Sequence, residues 1–181
     1  MVSEEMVDSL AENLLILLWR FPQIGNVDIA ADYIVSDNIY LRYWALKNVT
    51  KEEVLSKLTA SPATYSKQLD KLLSAANQGL AETDIIDTLI LIAMLGHKLP
   101  GEEANELFAG VVEKRLDDYR NWEVSKEILD IKLLRMLGAE IENGSVGMNE
   151  QEAAIDFSQF YSFVMQRYIM ARDYLSLSSV Q

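Results

Sequence analysis

The chain has 181 residues, half of them hydrophobic, with 28 acidic against 16 basic residues and a net charge of −12. That length suits one domain with a substantial core, and the average field repels double-stranded DNA. With no Cys in the chain, a disulfide framework, thiolate zinc sites and a cysteine nucleophile are excluded.

The start, Met1 to Leu10, is acidic where a secretory signal is basic. The longest apolar run, residues 88–95, falls far short of the ~18 residues that span a bilayer. A soluble cytoplasmic protein is expected. Only 8 Gly and 3 Pro occur, and long runs carry helical apolar spacing, so the elements should be helices.

In chain order, a first helix is expected over residues 3–20, capped by Ser3, with Met6, Leu10, Leu14, Leu17 and Leu18 inward. Pro22 and Gly25 end it. A short helix follows Asn26, and another carries Ile39, Tyr43, Trp44 and Leu46. The stretch from Asp37 to Leu46 resembles the second helix of a HEAT repeat, with Asp37, Arg42 and Ala45 at the recurring positions. Thr50 and Glu53 read as a capping box for a helix over 51–59. Ser61-Pro62 reads as an N-cap and first helical position, with Gly79 as the left-handed residue that ends that helix. Thr83 should cap the next helix and Gly96 end it, leaving the single His97 in a loop. Helices over 102–120 and 122–137 follow, the second ended by Gly138. A polar loop from Gly138 leads to Asn149 and Glu152, a capping-box-like start for a last helix of roughly 25 residues.

Three acidic clusters invite a chemical reading. Glu102, Glu103 and Glu106 form E-E-x-x-E, and after twenty intervening residues Glu127 and Asp130 form E-x-x-D. The pattern resembles the signature of all-helical nucleoside triphosphate pyrophosphatases, the MazG and dimeric dUTPase superfamily. The stretch Tyr119 to Trp122 is similar to the basic-aromatic segment between the two dUTPase motifs. The resemblance covers about forty residues. It implies that these five carboxylates hold Mg²⁺, which binds phosphates and orients the attacking water, with no covalent intermediate. Mg²⁺ is a hard cation that takes oxygen ligands, and i, i+3 spacing places two carboxylates on one helix face. By helical geometry, Phe108, Val111, Val112, Leu116 and Tyr119 mark the buried stripe of that helix. Glu103 and Glu106 then point nearly opposite to it, whereas Glu127 and Asp130 lie beside Ile131 and Leu134. Asp117, Asp118 and Asn121 resemble the D-D-x-x-N metal motif of prenyl synthases and terpene cyclases. Lys114, Arg115 and Arg120 stand three or four residues from these acids, at salt-bridge spacing, so a charge-laced surface is the expectation there.

Cations cluster at Lys114, Arg115, Arg120, Lys126, Lys132 and Arg135, with Arg167 and Arg172 on the last helix. A helical small subunit of a ribonucleoprotein, of the kind that lines CRISPR effector complexes, would use them on a nucleic-acid backbone.

The last helix carries two apolar stripes. Phe157, Tyr161, Val164, Tyr168, Ala171 and Leu175 follow an a/d-like spacing, and Phe163, Met170 and Tyr174 lie about 100° round the helix. A surface helix needs only one stripe. The second suits a central position in a bundle or contact with a partner, with Phe163, Met170 and Tyr174 as contact residues. The expectation is a single all-α domain over 1–181, an irregular bundle of about eight or nine helices. Its function is read as a non-catalytic interaction or assembly subunit without a cofactor. The ribonucleoprotein subunit and the Mg²⁺-dependent pyrophosphatase are the alternatives.

Overall fold

A computed structural model describes residues 4–143 and 150–178, with side chains described over 5–142 and 151–171. The described residues are mostly helical, with no strand among them. In order they form α1 (Glu4–Arg20), α2 (Asn26–Ile34), α3 (Ile39–Val49), α4 (Glu52–Ala60), α5 (Ser66–Ala81), α6 (Ile86–Lys98), α7 (Glu102–Arg120), α8 (Asp130–Asn143) and α9 (Glu150–Ser178), with a 3₁₀ turn at Glu127–Leu129. The expected all-helical architecture with a long last helix is what the chain adopts. No helix is long and apolar enough to cross a membrane among the described residues. The chain divides into two compact units, Met1–Val111 and Val112–Gln181.

In the first unit α3 packs against α1, α2 and α6, and α5 against α2 and α6. Leu15, Ile34, Leu46, Leu58, Leu72, Leu89, Ile92 and Leu107 are fully buried. Asn38 caps α3: its side-chain oxygen accepts from the backbone N–H of Tyr40 at 3.0 Å, and its Nδ2 donates to Asp8 at 2.8 Å. Asn48 is buried and donates to the carbonyls of Leu15 and Trp44, both at 2.8 Å, which ties α1 to α3. The HEAT-like Ala45 and Arg42 are both buried. Arg42 donates to the Ser36 carbonyl and to the Glu82 carbonyl at 3.1 Å, so it clamps the α2–α3 turn to the end of α5.

The first helix corrects the expected inward face. Ala11 and Leu15 are buried, while Met6, Leu10, Leu14 and Leu17 are exposed. α1 is apolar on more than one side, and its contacts to α3 select the narrow one. Trp19 meets Trp44 edge-on at 5.9 Å, and the Lys51 ammonium stands over Trp19.

Several end signals also read differently. Thr50 caps the C-terminus of α3, its hydroxyl donating to the Leu46 carbonyl at 2.8 Å, and Lys51 is the N-cap of α4. Residues 62–65 form a turn, and α5 begins only at Ser66. The residue that caps α6 is Ile85, with Thr83 accepting its N–H at 3.3 Å. Gly79, Gly96 and Gly138 all lie inside helices, so His97 is helical too, its ring 5.9 Å from Phe108. The reason at Gly96 is steric. A Cβ there would stand 2.7 Å from the Ala104 carbonyl oxygen and the Phe108 nitrogen, so glycine lets the backbones of α6 and α7 meet. Ser3 and Asn149 lie outside the described residues.

In the second unit the end of α7, the turn after it, α8 and α9 surround Leu116, Leu133, Leu137, Ala153 and Phe160. Residues 122–129 are not helical as expected. Trp122 and Lys126 take positive φ, 61° and 54°, and α8 starts at Asp130, continuing through Gly138 to Asn143. Among the described side chains of α9 the buried ones are Ala153 and Phe160. The expected seam through Tyr161 and Tyr168 faces outward instead, because Phe160 is the side chain that Tyr119 receives, edge-on at 5.5 Å.

Candidate functional site

α7 buries the expected stripe, including Phe108, Val111, Val112, Leu116 and Tyr119. Glu102, Glu103 and Glu106 are exposed on the first unit, and Glu127 and Asp130 belong to the second. Asp130, fully buried, receives Arg115 through Nε at 2.8 Å and Nη2 at 2.9 Å, and the Tyr119 hydroxyl at 2.7 Å. Both oxygens are thereby engaged. Arg115 is itself 2 % exposed and adds Asp118 at 3.0 Å and the Ser125 carbonyl at 2.7 Å. This bidentate pair closes the turn between α7 and α8 and ties its left-handed stretch to the core. Burial pushes the Asp130 carboxyl up, against the hydrogen bonds from Arg115 and Tyr119. Burial also penalises the Arg115 guanidinium, yet Asp130 and Asp118 hold it above its ordinary value. Burial, reinforced by Asp130, pushes the Tyr119 hydroxyl far up. Among the described residues no group of three or more His, Asp and Glu side chains is placed to hold a metal ion.

Glu127 pairs with Arg167 at 3.0 Å. Its carboxyl is held below the usual range by its own backbone N–H and then by Arg167, against its partial burial. Arg167 also lies 5.9 Å from the Trp122 ring. Arg120 bonds Glu113 and Asp117, each at 2.7 Å, and Gln159 on α9 at 3.1 Å. The D-D-x-x-N stretch is therefore a charge-laced surface, with Asp117 on Arg120 and Asp118 on Arg115. Of the cations considered for nucleic acid, Arg115, Arg120 and Arg167 are committed to ion pairs within the unit. Lys132 and Arg135 are exposed on α8, and the side chain of Arg172 lies outside those described.

The surface that stands out is apolar. Between the 3₁₀ turn, the start of α8 and α9 runs an open groove of about 270 Å³, lined by Glu127, Ile128, Ile131, Val164, Arg167, Tyr168 and Ala171. Ile128 is 73 % exposed and Tyr168 63 %. Tyr161, Met165, Ile169 and Met170 extend the exposed apolar surface along α9. Beside it, a cavity of about 60 Å³ lies among Tyr119, Trp122, Val124, Phe163 and Arg167. Of the expected contact residues, Met170 is exposed. Phe163 stacks on Tyr119 at 5.6 Å and serves the unit's own packing. The side chain of Tyr174 lies outside those described. Ile128 and Ile131 were not expected as contacts, because a regular helix over 122–137 gave no reason for that side to open. The left-handed residues at 122 and 126, neither of them glycine, leave no signal in composition.

No family model matches the chain, and neither a curated protein nor a solved structure is significantly similar to it.

Proposed function

We propose that the chain is a non-catalytic interaction subunit, working in the cytoplasm, which docks an amphipathic helix of another protein along α9. The observation that carries this reading is the apolar groove of Ile128, Ile131, Val164, Tyr168 and Ala171. Helix-in-groove recognition uses such a trough with apolar anchors one turn apart. Exposed Ile and Tyr side chains on a fixed scaffold supply contact area at low cost in conformational entropy. The net charge of −12 favours a partner helix with basic flanks, since complementary fields steer encounter.

The test is recovery of proteins with the tagged chain, identified by mass spectrometry and compared with Ile128→Glu and Tyr168→Glu. One stoichiometric protein should be lost from both variants while their helical circular dichroism is kept. Recovery of the same proteins by wild type and variants rejects the reading. Stoichiometric RNA, released by raised salt, would favour the ribonucleoprotein subunit instead.

A further inference from the structure

α1 presents a second apolar surface, on the other compact unit. Val7, Leu10, Leu14, Leu17 and Phe21 follow steps of three and four, the spacing of a helix–helix seam. They are 53, 64, 40, 52 and 64 % exposed, and the neighbouring Met6 is 55 % exposed. The helix buries the small Ala11 and one leucine, Leu15, and leaves Met6, Val7, Leu10, Leu14 and Leu17 exposed. Solvent alone would favour the opposite placement.

Together these six side chains expose on the order of 600 Å² of apolar surface, the upper end of the largest patch on a typical monomer. Two such faces joined reach ~1,200 Å², the lower bound of a standard specific interface. An a/d seam is complementary to itself, which is what a two-fold contact between identical chains requires. Charge sets the direction. Glu5 and Glu12 lie in the first two-thirds of α1, and Arg20 ends it. A parallel pair would bring the two acidic N-terminal halves of α1 together, while an antiparallel pair sets the acidic half of each copy near the Arg20 end of the other. A lipid surface fits less well, because interfacial helices carry several Lys and Arg beside the apolar face and Arg20 is the one basic residue of α1.

We infer that α1 is a self-association surface on which two copies of the chain pair antiparallel through Val7, Leu10, Leu14, Leu17 and Phe21. The chain would then present two copies of its partner groove, one per protomer.

Sedimentation of the full chain tests this. Wild type should run at twice 20.5 kDa. Leu10→Glu/Leu17→Glu should run at the monomer mass, with dimerisation weakened at least ~100-fold by two charged groups in the seam. Tyr168→Glu, which tests the groove, should stay dimeric, so the two surfaces fail independently. The chain has no Cys, so a single spin label at Glu5→Cys reports direction. Label pairs about 20 Å apart or more match the antiparallel seam, and pairs near ~10 Å overturn it. Should the double variant fail to fold, the label distance and the concentration dependence of the wild-type mass decide. A wild-type chain monomeric at every attainable concentration overturns the inference. So does a dimer that survives Leu10→Glu/Leu17→Glu, or a monomer that binds phosphatidylcholine–phosphatidylserine vesicles through α1.

Discussion

Replacing Asp130 by Asn separates two roles for that residue. As part of a metal site, its loss would leave the metal-free protein about as stable as before. As the buried partner of Arg115, its loss strands a guanidinium that is 2 % exposed, and it weakens the acceptor of Tyr119 at 2.7 Å. Removing one member of a buried pair costs about 3–5 kcal/mol, and because Asp118 still faces the guanidinium at 3.0 Å the loss should lie at the lower end of that range. A small domain has only ~5–15 kcal/mol in total. With a denaturant slope of about 2 kcal/mol per molar urea, the midpoint of the transition involving α8 should fall by roughly 2 M. Arg115→Met with Asp130→Leu removes both charges and should recover most of that loss, since apolar replacement of a buried pair is often close to neutral. Urea unfolding followed by circular dichroism, with and without Mg²⁺, reads all three proteins. A loss below ~1 kcal/mol for Asp130→Asn, the size of an ordinary surface hydrogen bond, would refute the argument. A stability that rises with Mg²⁺ in wild type and not in Asp130→Asn would refute it as well.

Gly96→Ala should destabilise the first unit by about 1–3 kcal/mol, because the new Cβ meets backbone at 2.7 Å; a rise in melting temperature would mean that α6 and α7 do not approach so closely. Gly138→Ala should do the reverse, adding ~0.5–1 kcal/mol of helix propensity, since its Cβ meets only Phe157 at 3.8 Å; a melt lowered by this change would place Gly138 at a left-handed helix end. Glu127 has a depressed folded pKa, so its stabilisation is complete above the unfolded value of ~4.3 and lost as pH falls through the folded one. Melting temperatures of Glu127→Gln should therefore drop less than wild type between about pH 5 and pH 3, and equal drops would count against the Arg167 pairing. Arg42→Met should lower stability by about 1–3 kcal/mol through the unsatisfied Ser36 and Glu82 carbonyls, with faster hydrogen exchange at the α2–α3 turn as the local signature.

Helical class, the long last helix and the buried stripe of α7 were all legible in apolar spacing. On α7 one face is apolar and the other charged, so Phe108, Val112, Leu116 and Tyr119 could be assigned inward and Glu103 and Glu106 outward. Where a helix is apolar on several sides, spacing loses that power. α1 buries Ala11 and Leu15 rather than Leu10 and Leu14, and α9 buries Phe160 rather than Tyr161. The choice depends on which side Trp44, Asn48 and Tyr119 meet, and those contacts join residues far apart in the chain.

The same limit applies to single residues. A glycine at a helix end and a glycine where two helices touch look identical in sequence, and only the 2.7 Å approach at Gly96 tells them apart. A carboxylate such as Asp130 at metal-ligand spacing and one held by an arginine fifteen residues earlier also look identical. Sequence by itself determined that this chain is helical and acidic, and where most of its helices lie, because those properties follow from local periodicity and composition. Tertiary structure decided which faces were left over, at α1 and along α9, because exposure is what remains after distant side chains have taken their places.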